Sequence, residues 1–238
     1  MKHSEVANMD SMDIEKMLDI LFSKYPDAKT ALHYKTPFEL LVATILSAQC
    51  TDERINIVTG TLFKKYTNLE DYIDVSIETL EVDIKSTGFY KNKAKSIKEC
   101  AAAIKERFKG QVPKTMEELV TLAGVGRKTA SVILAAIFNV PAIAVDTHVL
   151  RVSNRLGLVK TKDPFKVEMA LRGLIPIDKW IHFGMSIVLF GRQVCRAKKP
   201  LCGVWCIDVK VQDPALINTC TLYSLCQWSE KDVGKPNV

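Results

Sequence analysis

Leu122-Ala123-Gly124-Val125-Gly126-Arg127-Lys128-Thr129-Ala130 decides how the chain is read, together with Asp146-Thr147-His148-Val149-Leu150-Arg151 a short distance on. Thr115 and Glu118 have the spacing of a capping box, which predicts a helix running through Leu122. The Gly-Val-Gly turn interrupts it, and a second helix is expected from Arg127 to Phe138. The product is a helix-hairpin-helix. With no Cβ, Gly124 and Gly126 have access to positive φ and let their backbone N–H groups come close to another molecule, at a helix N-terminus that attracts anions. A nucleic-acid phosphate meets that description.

Lys128 falls in the first turn of the second helix. Arg127 and the positive end of the helix dipole both disfavour an ammonium there, and a less protonated amine is a better nucleophile. Asp146 is expected at the N-cap of a further helix, where backbone donors favour an ionised carboxylate. Its reach to Lys128 is a matter of lengths. The helix carries the chain roughly 18 Å away at about 1.5 Å per residue, and the linker from Asn139 to Val145 spans at most about 23 Å on the way back. The two side chains are therefore expected to meet.

These residues resemble the endonuclease III branch of the helix-hairpin-helix DNA glycosylases. The resemblance rests on Ser47-Ala48-Gln49, Gly88-Phe89-Tyr90, the Leu-x-Gly-Val-Gly-Arg-Lys-Thr-Ala hairpin, Val145-Asp146-Thr147-His148 and a cysteine set that begins Cys195-x6-Cys202, and it covers roughly residues 14 to 228. It implies an all-α fold, with residues 30–140 as a six-helix barrel domain and residues 1–29 with 141–238 as a second helical domain. Lys128 and Asp146 would come from opposite sides of a cleft. The implied activity is bifunctional: Lys128 attacks C1′ of an oxidised pyrimidine nucleotide, expels the base through a Schiff base and cleaves the abasic strand by β-elimination, with Asp146 assisting proton movement. The implied partner is duplex DNA with a damaged base or abasic site, bound by a monomer. Gln49 would fill the gap left by the extruded nucleotide and Phe89 would wedge the opposite strand, while Gly124, Gly126 and Arg127 hold phosphate.

The rest of the chain is compatible with this. Its 238 residues, 47% of them hydrophobic, suffice for one large or two small domains, and a formal charge of +6 suits a polyanionic partner without demanding one. No apolar run approaches about 18 residues and no leader is visible, so neither membrane span nor secretion is expected. The expected compartment is the cytoplasm, beside the nucleoid, or the nucleus if the source is eukaryotic. Helical spacing is expected after Ser11, from Thr36-Pro37, from Thr51, from Ser76 and near Lys91 up to Gly110. It resumes after Asp146, from Asp163-Pro164 and from Trp180 to Val194. The count is about ten helices, and strand alternation is almost absent.

Seven cysteines in a reducing compartment point to metal ligands or buried thiols rather than disulfides. By resemblance, a four-iron four-sulfur cluster would take four of them in the spacing Cys-x6-Cys-x2-Cys-x5-Cys. Cys195 with Cys202 and Cys220 with Cys226 fit the outer intervals, and an insertion near 204–217 stretches the middle one. Closing the longer loop costs roughly 2 kcal/mol, small beside structural metal binding of about 10 kcal/mol or more. A rival register uses Cys206 in place of one of the later pair; a zinc site or a lost cluster are further alternatives. Arg192, Arg196, Lys198 and Lys199 make this loop basic, either to neutralise phosphate or as a solvated surface.

Each residue also has a plainer use. Asp146 is already accounted for as an N-cap, Gln49 as a polar helix end, Phe89 as a core residue, His148 as structural, and Cys50 and Cys100 as buried thiols. Ala123 stands where the family often has proline. Two rival functions follow: a monofunctional mismatch or adenine glycosylase of the same fold, against which Lys128 argues, and a non-catalytic DNA-binding hairpin module.

Overall fold

The computed structural model describes residues 11–203 and 220–228. Among the described residues there are eleven α-helices, three short 3-10 turns and no strand. They divide into two compact units, one of Thr30–Val140 and one of the described parts of Met1–Lys29 and Pro141–Val238.

The second of these units opens with α1 (Ser11–Lys24), which buries Ile14, Met17, Leu18 and Leu21 on one face. These four recur at the three-to-four-residue period of a helix, so one stripe meets the core while Asp13 and Lys24 stay at the ends.

A side-chain cap starts five of the seven helices of the Thr30–Val140 unit. Thr36 Oγ1 accepts from Glu39 N–H at 3.1 Å and opens α2 (Pro37–Leu46). Glu39 does not reach back to the cap residue's own N–H; its carboxylate accepts from Lys35 N–H, one residue earlier. Phe38 through Leu46 is apolar on nearly every side and Leu40 through Leu46 are all buried, with α2 packed against the later helices α3, α6 and α8. Truncating one of its large side chains to alanine would cost about 2–5 kcal/mol. Thr51 then caps α3 (Asp52–Lys65), Asn68 caps α4 (Leu69–Asp74) and Ser76 caps α5 (Ile77–Ile84). The 3-10 turn Lys85–Thr87 leads to α6 (Tyr90–Phe108), which ends on two left-handed residues, Lys109 (φ 53°) and Gly110 (φ 78°). Ala94, Ile97, Ala101 and Ile104 make the buried stripe of α6, and Phe108 at its end is only partly buried.

Two expectations need correction here. α4 is not among the expected helices, although Asn68 and Asp71 form the one complete reciprocal capping box in this run of helices. Conversely, α7 (Met116–Leu119) is a single turn that stops short of Leu122. Thr115 caps it, but Glu118 spends its carboxylate on the Thr115 hydroxyl at 2.8 Å and not on the backbone N–H. Successive turn hydrogen bonds, Leu122 N–H to Leu119 O and Val125 N–H to Leu122 O at 3.1 Å each, then carry the chain into α8 (Arg127–Phe138).

In the other unit, α9 (Thr147–Leu156) starts on Asp146 and α10 (Pro164–Leu174) on Asp163, each with two backbone N–H groups on the cap carboxylate. α11 (Trp180–Gln193) packs against both α1 and α9. A Cβ on Gly191 would sit 3.0 Å from His148 Cβ, so a residue without a side chain is what lets α11 approach α9. The core here is built on Met17, Leu18, Leu21, Val149, Val152, Phe183, Ile187 and Phe190.

Candidate active site

Gly124 and Gly126 look equivalent in the sequence and are not. Gly124 holds φ +74°, and a Cβ there would lie 2.8 Å from Ser96 Cβ on α6 and 3.5 Å from Ile45 Cγ2 on α2. Its missing side chain serves internal packing as well as the turn. Gly126, against expectation, is not left-handed: it is the N-cap of α8 at φ −89°, ψ 176°, with no side chain capping the helix, and a Cβ added to it would meet nothing within 4 Å. Space open to another molecule is therefore at Gly126. Arg127 and Lys128 form the first turn behind it, Arg127 partly buried and Lys128 exposed.

The same unit brings Gln49, Phe89 and Gly124 to a single pocket of about 240 Å³, with Ile45, Lys93 and Ser96 also on its wall. Gln49 (φ 55°) and Phe89 (φ 49°) are non-glycine residues in the left-handed region, a conformation that costs about 1–3 kcal/mol and concentrates at functional sites. Phe89 is 64% exposed, which removes the core-packing alternative for it. Cys50 is partly buried in the turn between α2 and α3, whereas Cys100 is fully buried within α6, where burial pushes its thiol up to about 12.

In the other unit Asp146 Oδ1 accepts from His148 N–H and Val149 N–H at 2.8 Å each, and Oδ2 lies 3.0 Å from His148 Nδ1. The carboxylate is thus held by the start of α9 and by one ring nitrogen. Sequence reasoning gives His148 only a structural place and misses this contact; the two-residue spacing at a helix N-terminus is its available signal.

Cys195, Cys202, Cys220 and Cys226 are all buried, each at most 8% exposed. Arg155 of α9 touches the first and last: its Nη1 donates to Cys195 Sγ at 3.4 Å, and its carbonyl accepts from Cys226 Sγ at 3.3 Å. Cys220 hydrogen-bonds with Cys202, and that bond, ahead of burial, pushes its thiol up. Two remote stretches of chain therefore deliver four sulfurs to one buried neighbourhood. Among the described residues no three Cys, His, Asp or Glu stand close enough to grip a single metal ion; the donor set itself, four buried thiols, is the one a four-iron four-sulfur cluster takes. Cys206 and the inserted stretch near 204–217 lie outside the described residues. Lys198 is exposed in the loop after Cys195.

A glycine turn leading into a helix with lysine in its first turn is a helix-hairpin-helix, and the family model of the HhH-GPD superfamily base excision DNA repair proteins matches residues 42–176. Endonuclease III of Synechocystis sp. is 51% identical over 189 residues, covering 79% of this chain and 86% of the relative. That of Bacillus subtilis is 45% identical over 219 residues, covering 92% and 93%. The structure of a trapped endonuclease III–DNA covalent intermediate, an estranged-adenine complex, aligns with a TM-score of 0.85 at 42% identity, covering 94% of this chain and 99% of that one. The chain belongs to the endonuclease III family. A thermostable thymine-DNA glycosylase also aligns, with a TM-score of 0.76, but at 23% identity it speaks to the fold alone.

Proposed function

We propose that this chain is a bifunctional base-excision enzyme that removes oxidised pyrimidines from duplex DNA and nicks the abasic strand it creates. The Lys128 amine attacks C1′ of the damaged nucleotide, the C1′–N bond breaks, and the base departs with a proton. Loss of the amine protons and opening of the sugar ring leave an imine between Nζ and C1′. Removal of a C2′ proton then expels the 3′ phosphate, and water returns the free lysine. Asp146 assists these proton movements and offsets the positive charge that develops on the sugar. Held as it is by two N–H groups, it enters the reaction with its orientation already fixed.

Around this pair, the backbone at Gly124 and Gly126 with Arg127 holds phosphate, Gln49 and Phe89 enter the base stack, and Lys198 neutralises a further phosphate. Cys195, Cys202, Cys220 and Cys226 would hold a four-iron four-sulfur cluster, which when bound supplies a covalent cross-link and a redox centre. The enzyme works as a monomer in the cytoplasm on nucleoid DNA. Among the described residues no helix is long and apolar enough to cross a membrane.

The observation that carries this reading is the exposed Lys128, directly behind a helix start that no side chain closes, in a chain 42% identical to an endonuclease III caught covalently on DNA. The test is incubation with a duplex carrying thymine glycol, in the presence of borohydride. Reduction of the imine gives a stable protein–DNA adduct, and without borohydride the strand is nicked. Base release with an intact strand and no adduct would place the chain among monofunctional glycosylases instead. For the cysteines, iron and acid-labile sulfide should vanish in Cys220→Ser purified without oxygen and persist in Cys206→Ser; the opposite pattern rejects this ligand set.

A further inference from the structure

Lys93 is the least expected residue of the Thr30–Val140 unit. It lies on the buried face of α6 between the apolar positions of that stripe, and only 5% of it is exposed. Its Nζ donates to Leu46 O at 2.7 Å and to Thr87 O at 2.9 Å. Burial lowers its proton affinity from the ordinary lysine range, so the group is held there against its own hydration. Stability alone is a weak reason for such a residue, because an apolar side chain of similar length would fill the same space without a charge to desolvate.

The partners supply a better reason. Leu46 ends α2, where the negative pole of the helix favours a cation, and Ser47-Ala48-Gln49 follows at once. Thr87 ends the 3-10 turn, and Gly88 (φ 72°) and Phe89 (φ 49°) come next. A single ammonium therefore ties the roots of two loops that are remote in sequence. The tips of those loops, Gln49 and Phe89, are both exposed, both left-handed and both on the wall of the same pocket as Lys93 itself.

We propose that Lys93 is a positioning residue for base extrusion: it clamps the Gln49 and Phe89 loops at one separation, so that the two side chains enter the duplex as a rigid pair. This rests on the reading above that Gln49 and Phe89 probe the base stack. Lys93 has no part in the covalent chemistry, which divides its effect by substrate. Extruding a nucleotide from a duplex needs the wedge, whereas imine formation with an abasic site in single-stranded DNA does not.

The experiment compares wild type and Lys93→Met on a thymine-glycol duplex and on a single-stranded abasic oligonucleotide, with a thermal melt of each protein. The duplex kcat/KM should fall by about 30- to 100-fold, as for a misplaced positioning group, while borohydride trapping on the single strand stays within about twofold. Fluorescence of 2-aminopurine opposite the lesion, which rises when the probe loses its stacking on the flanking bases, should lose its enzyme-dependent increase. Equal losses on both substrates, or no loss on the duplex, would overturn the proposal. If Lys93→Met does not fold, Lys93→Gln is used, its donor one atom closer to the backbone and unable to span both carbonyls. In either case a cycle with Phe89→Ala should be non-additive, because both changes disable one wedge; additive losses reject the clamp. Failure of the underlying reading looks different: Phe89→Ala with full duplex activity removes the wedge, and wild type that traps no imine on either strand removes the activity.

Discussion

The starts of α8 and α9 are the same kind of object put to opposite uses. At α9 the Asp146 carboxylate accepts two N–H groups of the first turn, so the positive helix end is answered from within the chain. At α8 the cap is Gly126, no side chain reaches back, and a Cβ added there would meet nothing within 4 Å. A helix N-terminus left uncapped by its own protein costs stability and keeps its attraction for an external anion. In the proposed mechanism the difference separates a residue held for proton work from a surface left for a phosphate, with Lys128 in the first turn behind the second.

The comparison breaks most visibly at Lys128. Lys128→Ala should lower nicking of a thymine-glycol duplex by about a thousandfold or more while duplex affinity changes by less than about tenfold, since the covalent step is lost and the phosphate grip is kept. Unchanged nicking would mean that the nucleophile lies elsewhere. At α9 the cap and the proton work separate in Asp146→Asn, because asparagine caps as well as aspartate but carries no charge. Activity should fall about a hundredfold with a melting temperature close to wild type; full activity would reduce Asp146 to a cap. The smallest effect is also the most discriminating within the hairpin. Gly124→Ala, at φ +74° and 2.8 Å from Ser96 Cβ, should destabilise folding by about 1–3 kcal/mol in urea titrations. Gly126→Ala should cost less than about 1 kcal/mol and instead weaken duplex binding several-fold. Equal stability losses would mean that the open helix start is not open.

Much of this is legible because helix starts are written locally. Thr36, Thr51, Ser76, Thr115, Asp146 and Asp163 each declare a boundary within three or four residues, and the structure uses all six as N-caps. What escapes depends on longer range or on rival local bonds. Asn68 and Asp71 also declare a helix, but α4 is only six residues, too short for the spacing of Leu69, Tyr72 and Ile73 to repeat over a further turn. The extent of α7 is overread because i→i−3 turn bonds, Thr121 N–H to Glu118 O and Leu122 N–H to Leu119 O, replace the helical ladder after Leu119. Gly126 and Gly124 cannot be told apart without knowing that Ser96 fills the space above one of them. Lys93 is invisible for the same reason: its partner Leu46 O is 47 residues away, and a lysine in sequence reads as a surface charge. Phe89 stands between wedge and core until its exposure is known.

The most direct test is to locate the bond. Wild-type protein reduced with borohydride on an abasic duplex, digested with nuclease and trypsin and sequenced by mass spectrometry, should carry the deoxyribose remnant on Lys128, with tryptic cleavage lost at that residue. A remnant found on another lysine or on the terminal amine, with Lys128 unmodified, would contradict it.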